Sequence, residues 1–305
     1  MKVAFAGTPD FAATILRAVI SSPHEVGLVL SQPNPRKGRG RKTTPTPVAE
    51  LARSHDLLLK QPARISEINA ELAAYDALIV AAYGQILRPD TLHATRKGAW
   101  NVHASLLPKY RGAAPVERAI MHGETETGVT IMRMDEGLDT GPIALQRAVS
   151  ISPLLNAGEL SILLADTGAK AMVESLSLLE KESLTLVEQD SLFATYASKI
   201  LDEDKTLRWR WEVGDVHDVI RALAPGIGAR TWHPEVEGPI KIWRSRIVER
   251  EALALQAGRI EAGNGRMVVY CGSGSLEVLE LQRPGGRRLS ARDFLRGTPM
   301  EGAFE

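Results

Sequence analysis

Several things are scarce in this sequence, and each scarcity removes a class of protein. There is one cysteine, Cys271, in 305 residues, so no disulfide can close within the chain and no thiolate cluster can hold a metal. Cys271 itself reads as a small buried hydrophobe. Net charge is missing as well. The 37 Lys and Arg balance 37 Asp and Glu, so no global field draws the chain to nucleic acid, and any basic contact surface has to be local. Long apolar runs are absent: the opening Met1 to Gly7 is too short for the apolar core of a secretory signal, and no later run is long enough to span a bilayer. The expected location is therefore the cytosol. Two nucleotide and hydrolase signatures are lacking too. Gly7-Thr8-Pro9 is not a Gly-x-Gly-x-x-Gly turn, so no dinucleotide is expected, and the absence of Gly-x-Ser-x-Gly argues against a serine hydrolase.

What is present is ordinary globular material, 44% hydrophobic and 24% charged, long enough for two domains with a core each. Lys2 to Ala6 reads as a buried strand. Thr8 as N-cap and Pro9 as first helical residue open a helix whose Phe11, Ile15, Leu16 and Val19 share one face, and Val26 to Leu30 is a second strand. This β-α-β opening predicts a parallel sheet. Helices over 48–54, 66–74 and 115–122, strands over 57–59, 77–83 and 98–105, a pair of strands over 127–135 and 142–151, and a long helix over 156–182 continue it. The fold class is α/β, a doubly wound, mostly parallel, Rossmann-like sheet in residues 1–183. A polar stretch, 184–205, reads as a linker. From 206 to 305 one helix, Val213 to Leu223, is followed by short strands, a hairpin around Gly272-Ser273-Gly274, and a small helix capped by Ser290 and closed by Gly297. That pattern suggests a small β-barrel.

The chemistry concentrates in Asn101-Val102-His103-Ala104-Ser105-Leu106-Leu107-Pro108. On a strand, residues two apart face the same way, so Asn101 and His103 project together near the strand's carboxyl end, the edge where open α/β sheets bind ligands. Further on, Met134-Asp135-Glu136-Gly137-Leu138-Asp139-Thr140-Gly141-Pro142 places a carboxylate between two glycines, on a loop that must turn tightly. Asp139 from such a loop could reach and orient the imidazole. Asn, His and Asp then supply an oxyanion donor, a proton carrier and an orienter, with no Ser or Cys nucleophile beside them. Direct transfer of an activated group fits that set. A lone Asn-x-His on a strand also has a purely structural reading, and spacing does not name the transferred group.

The residues 101–112 resemble the Asn-x-His-x-Ser-Leu-Leu-Pro signature of the formyltransferase family that uses 10-formyltetrahydrofolate. Phe5 to Ala12, Ala81 to Leu87, and Gly128 to Gly141 are similar to the branch that acts on methionyl-tRNA, and so are Thr195-Tyr196-Ala197 and Leu289 to Leu295. The likeness runs over nearly the whole chain. Trp100 and Tyr110 depart from the usual residues, and 225–229 is looser than the family's Pro- and Trp-containing segment. The resemblance implies catalytic roles for Asn101, His103 and Asp139. It implies a folate site lined by Ser105, Leu106, Leu107 and Pro108, with Gln85, Ile86 and Leu87 and the loop before Asp139 around the pteridine ring. It also implies that the C-terminal barrel is OB-like and helps to hold initiator methionyl-tRNA.

One segment speaks for RNA without that likeness. Ser31 to Pro47 carries Arg36, Lys37, Arg39, Arg41 and Lys42 and no acidic residue. A long loop in a compact domain is more often functional than decorative, and unbalanced cations bind phosphate. In the resembling family this loop enters the acceptor end of the tRNA. A formyltransferase acting on a nucleotide-linked amino sugar shares the catalytic signature and is the rival reading, and a monomer is the expected state. Trp209, Trp211, Trp232 and Trp243 fit core or rim positions better than base-stacking ones.

Overall fold

The computed structural model describes residues 1–34, 36–37, 42–253 and 256–305, and for 36, 37, 42, 43, 252 and 253 the backbone alone. The chain folds into two compact units: Met1–Pro115, Glu126–Ser150 and Ser161–Ala197 form the first, and Val116–Thr125, Ile151–Leu160 and Ser198–Glu305 the second.

In the first unit the strands are β1 (Lys2–Gly7), β2 (Glu25–Leu30), β3 (Arg36–Lys37), β4 (Lys42–Thr43), β5 (Leu59–Lys60), β6 (Ala77–Ala81), β7 (Ala99–His103), β8 (Arg111–Gly112), β9 (Glu126–Arg133), β10 (Ile143–Ser150) and β11 (Tyr196–Ala197). Seven of them make one sheet in the order β10-β9-β7-β6-β1-β2-β5. From β5 to β7 the neighbours run parallel, while β9 and β10 are antiparallel additions. The central strands β1 and β6 are apolar almost throughout and buried almost throughout, as expected of parallel strands covered on both faces. Strand order reverses beside β1: the chain winds outward through β2 and β5, then returns to β6 and continues through β7. The loops after β1 and β6 therefore flank a topological switch point.

Helix α1 (Asp10–Ile20) buries Ala12, Ala13, Ile15, Leu16 and Val19, and α2 (Pro47–Ser54) is capped by Thr46, whose hydroxyl accepts from the Ala49 amide at 3.2 Å. Thr8 behaves otherwise than the sequence suggests. Pro9 occupies the N-cap without side-chain help, because the Thr8 hydroxyl donates to the Tyr83 carbonyl at 2.9 Å and ties the loop after β1 to the loop after β6. The helix expected over 66–74 is a 3-10 turn, Ile65–Ile68, running into a single turn α3 (Asn69–Leu72). Another single turn, α4 (Pro89–Leu92), precedes β7.

The second unit takes in α5 (Pro115–Met121) from its second residue, and the opening residues of α6 (Ala157–Glu180). It continues with α7 (Val213–Ala222), β12 (Ala229–His233), β13 (Val236–Leu253), β14 (Ile260–Gly263), β15 (Arg266–Tyr270), β16 (Ser273–Gln282), β17 (Arg288–Ser290) and α8 (Ala291–Gly297). The strands are antiparallel in the order β12-β13-β16-β15-β14, with β17 on β16. Repeated register breaks along the 18-residue β13 are the kind that bend a strand. Alternate residues of the strands (Ile240 and Ile242, Met267 and Val269, Leu276 and Val278) meet α7 and Phe294 of α8 in one core. Cys271 is fully buried there, and that burial pushes its thiol up to about 12. Trp209 and Trp243 are buried too, with indole N–H groups donating to Thr231 and Gln282, while Trp211 stays half exposed beneath Arg208.

Candidate active site

Asn101 and His103 stand on β7, whose pairing with β9 sets Asn101 opposite Met132 and His103 opposite Thr130. His103 is 5% exposed, and its Nε2 lies 2.9 Å from the Tyr110 carbonyl oxygen. A carbonyl can only accept, so Nε2 carries the hydrogen and Nδ1 keeps the free lone pair. Nδ1 is 3.6 Å from Asp139 Oδ2, ion-pair range rather than a hydrogen bond. The imidazole is thus oriented by the Tyr110 carbonyl, and the carboxylate faces the nitrogen that would take a proton.

Asp139 reaches β7 from the loop between β9 and β10. Its Oδ1 accepts from Asn101 Nδ2 at 3.3 Å and its Oδ2 from the Gly112 amide at 2.9 Å. Two backbone features permit this. Asp139 adopts a φ of +52°, a left-handed conformation that Asp tolerates better than most residues. Gly112 has a φ of +121°, and a Cβ there would stand 2.8 Å from the Ala197 carbonyl oxygen, so a side chain would push the amide away from Asp139. Asn101, His103 and Asp139 therefore form one cluster at the carboxyl end of β7.

Around the cluster, the turn after β7 is fixed from within. Ser105 is fully buried, donating to the Lys109 carbonyl at 2.6 Å. Thr130 donates to the Ser105 carbonyl at 2.7 Å and accepts from the Leu107 amide at 3.0 Å, and Gln146 donates to both Thr130 and the Leu107 carbonyl. Of the four residues expected at a folate site here, Leu106 and Pro108 are half-buried, Leu107 is buried, and the Ser105 hydroxyl is turned inward. In the loop after β6, Gln85 is committed to structure: its oxygen accepts from the Ile65 amide at 2.8 Å and its nitrogen donates to the Pro62 and Ala63 carbonyls. Leu87 is buried in the cluster that holds Tyr83 and Leu92, and Ile86 is 92% exposed. The Tyr83 hydroxyl is buried without a hydrogen-bond partner among the described residues. Burial first, and Glu67 second, push it up to about 12, so it stays a neutral donor.

Residues just before Asp139 line a cleft of about 560 Å³ together with Leu92, Arg96, Lys97, Ala99 and Arg133 near the start of β7; Asn101, His103 and Asp139 are not among its walls. Of the basic residues, Arg39 and Arg41 lie outside the described residues. Arg36 and Lys37 pair through β3 with Lys42 and Thr43 in β4, so the ends of that loop form a two-stranded antiparallel ribbon.

Sequence reading missed Arg111 and Gln189. Arg111 is 3% exposed, and its Nε and Nη2 donate to Gln189 Oε1 at 3.1 and 2.8 Å. Gln189 Nε2 donates to the carbonyls of Asp139 and Gly141, both at 2.8 Å. Gln189 falls in the stretch that reads as a linker, and a polar residue outside any periodic segment carries no local signal of its partners.

A doubly wound sheet with an Asn–His–Asp cluster at its carboxyl edge defines an α/β group-transfer enzyme. Comparison with known proteins makes this specific. Residues 1–176 match the family described as Formyl transferase, and 199–299 match Formyl transferase, C-terminal domain. Over 304 residues the chain is 61% identical to a methionyl-tRNA formyltransferase of Rubrobacter xylanophilus, covering 100% of this chain and 99% of that one. Over 306 residues it is 44% identical to one of Pelotomaculum thermopropionicum, covering 98% and 96%. The fold matches an N-formyltransferase of Helicobacter canadensis with a TM-score of 0.68 at 18% identity, over 91% of this chain and 98% of that one. The chain belongs to the formyl transferase family and, within it, to the methionyl-tRNA formyltransferases.

Proposed function

We propose that this chain transfers the formyl group of 10-formyltetrahydrofolate to the α-amine of methionine carried on initiator tRNA, in the cytoplasm and as a monomer. The observation that carries the reading is the cluster itself: Asp139, from a loop 36 residues beyond His103, accepts a hydrogen bond from Asn101 and stands in ion-pair range of His103 in a chain of this family.

The cleft lined by the residues before Asp139 suits a pteridine. Leu92, Ala99 and Met134 offer apolar faces, and Asp135 and Glu136 offer carboxylates to ring N–H groups. Leu106, Pro108 and Ile86 then flank the rest of the folate. Bound there, the folate supplies an activated formyl carbon for the substrate amine to attack. Asn101 has two amide hydrogens. One is held by Asp139 at 3.3 Å, and the other is free to donate to the oxygen that gains charge on attack. His103 Nδ1 takes the proton that the amine gives up, and the imidazolium so formed faces the Asp139 carboxylate. The same nitrogen then returns the proton to the leaving amine. Arg36, Lys37, Arg39, Arg41 and Lys42 meet tRNA phosphates, with further contacts from the C-terminal unit.

An assay separates this reading from the amino-sugar alternative. Supplied with 10-formyltetrahydrofolate, the protein should formylate methionyl-tRNA and leave a nucleotide-linked amino sugar untouched. Formylation of the sugar alone would overturn the assignment.

A further inference from the structure

The loop that carries Asp139 is held from behind by two side chains outside the catalytic cluster. Gln189 spends both hydrogens of its amide on the carbonyls of Asp139 and Gly141. Its oxygen sits in the fork of Arg111. The surroundings dictate this orientation, since a flipped amide would set oxygen against two carbonyls and NH₂ against a guanidinium. Gln189 is itself anchored on both sides. Two residues before it, Val187 and Ile143 exchange backbone hydrogen bonds at 2.8 and 2.9 Å. Six residues after it, Thr195 accepts from the Tyr110 amide at 2.8 Å through its hydroxyl and from the Arg111 amide at 2.9 Å through its carbonyl, before β11 pairs with β8. The residue after Arg111, Gly112, donates to the Asp139 carboxylate. A closed ring results: Arg111 side chain, Gln189 amide, Asp139 carbonyl, Asp139 carboxylate, Gly112 amide. Asp139 is left-handed, and a conformation of that kind persists when its surroundings over-determine it.

We infer that Gln189 and Arg111 are positioning residues for formyl transfer, clamping the backbone of Asp139 so that its carboxylate stays in register with Asn101 and His103. The inference rests on the formyl-transfer reading above and adds two residues to its machinery. Gln189 acts through Asp139, its amide wholly engaged by Arg111 and the two carbonyls. A carboxylate displaced by about 1 Å loses its alignment with the imidazole, and misplacements of that size cost on the order of a hundredfold in rate.

The test compares Gln189→Leu and Gln189→Glu with the unaltered protein in single-turnover formylation of methionyl-tRNA. Failure of the unaltered protein to formylate methionyl-tRNA would sink the function itself, whereas the variants are read only against its rate. Gln189→Glu keeps the link to Arg111 but has no hydrogen to give the two carbonyls. If Gln189 merely tied Arg111 in place, this variant would keep its rate. Both variants should stay folded, bind 10-formyltetrahydrofolate with a KM within about twofold of normal, and turn over about ten- to a hundredfold more slowly. Combining Gln189→Leu with Asp139→Asn should be scarcely worse than Asp139→Asn alone, because a residue that works through a carboxylate has nothing to do once it is gone. A normal rate in Gln189→Glu, a loss confined to KM, or fully multiplicative losses in the double variant would each overturn the inference. Should the Gln189 variants fail to fold, Arg111→Lys, which cannot clamp the Gln189 oxygen with two donors, is read in the same way, and a normal rate there would overturn it.

Discussion

Replacing the three clustered side chains one at a time separates their roles. His103→Ala removes the proposed proton carrier and the Nε2–H that reaches the Tyr110 carbonyl. Asp139→Asn keeps the shape and an acceptor for the Gly112 amide but discards the charge that faces the imidazolium. Each should slow single-turnover formylation by about two to four orders of magnitude, the range for positioned acid–base groups. Asn101→Ala should cost about a hundredfold or more, as for a lost oxyanion donor. Affinity for tRNA should barely move. A near-normal rate in any one of them removes that residue from the mechanism. At this scale the sequence is informative where a side chain obeys strand alternation, which is why Asn101 and His103 stand out. It is silent on Gln189, whose partners are backbone carbonyls some fifty positions earlier. It says nothing of how Ser105 is turned, since a motif shared with folate enzymes does not say which hydroxyl points inward, as this one does toward the Lys109 carbonyl.

Among the elements, strands and long helices match their periodicity to within a few residues, because a buried parallel strand or an amphipathic stripe is a long, redundant signal. Short pieces fare worse. Ile65, Ile68 and Leu72 are buried at helical spacing, yet the backbone makes a 3-10 turn before its single α turn. The basic segment lies in this class as well. Arg39, Arg41 and Lys42 changed together to Ala should weaken methionyl-tRNA binding and flatten its dependence on salt. Each lost phosphate contact should lower the log–log slope by about 0.7–0.9, with folate binding unchanged. An unaltered affinity at low and high salt would reduce this loop to solvated surface. Helix α7 carries a different liability. Its His217 is buried, with Nδ1 2.8 Å from the Ser245 hydroxyl and Nε2 3.2 Å from the Pro153 carbonyl. Burial lowers its pKa below the ordinary histidine value, against smaller opposing contributions from the Pro153 hydrogen bond and Asp218. The folded state therefore resists a proton that the unfolded chain accepts. The stability from neutral His217 is complete above about pH 6.5 and falls as the pH drops from there toward the folded pKa. Thermal melts at pH 7.5 and 5.5 should show a smaller acid-induced drop for His217→Gln than for the unaltered protein. His24 is also lowered by burial, so the variant should flatten the drop and not abolish it. An identical drop in both proteins would remove His217 as its cause.

For the whole molecule, the decisive feature is how often the chain passes between its units. Three separate segments build each one, whereas the sequence suggests a single boundary through a linker at 184–205. Periodicity identifies elements but does not say which core each will join: α5 from its second residue and residues 151–160 fall within 1–183 of the sequence yet cluster with the second unit. Within the second unit they are bound firmly. Arg118 pairs with Asp204 at 2.6 Å, Arg221 donates to the carbonyls of Ser152 and Leu155, and Pro153 accepts from His217. Ala119, Ile120 and Leu160 are fully buried. A fragment of residues 198–305 would lack all of these. It would leave the Arg221 and His217 donors short of partners, at a cost of about 1–3 kcal/mol for each group that stays buried. A fragment of residues 1–183 would lose the segment that holds Asp139 through Gln189, and residues 1–197 would keep it but strip α5 of its partners. No single cut should therefore release either unit intact. Expressed alone, residues 1–197 and 198–305 should each melt well below the full chain, and 1–183 should show no turnover even with Asn101, His103 and Asp139 all present in its sequence. Mixing 1–197 with 198–305 should recover cooperative unfolding and some formylation. Should 198–305 instead melt alone at the temperature of the full chain, the segments 116–125 and 151–160 would be passengers on the second unit, and the single-boundary description would be the right one.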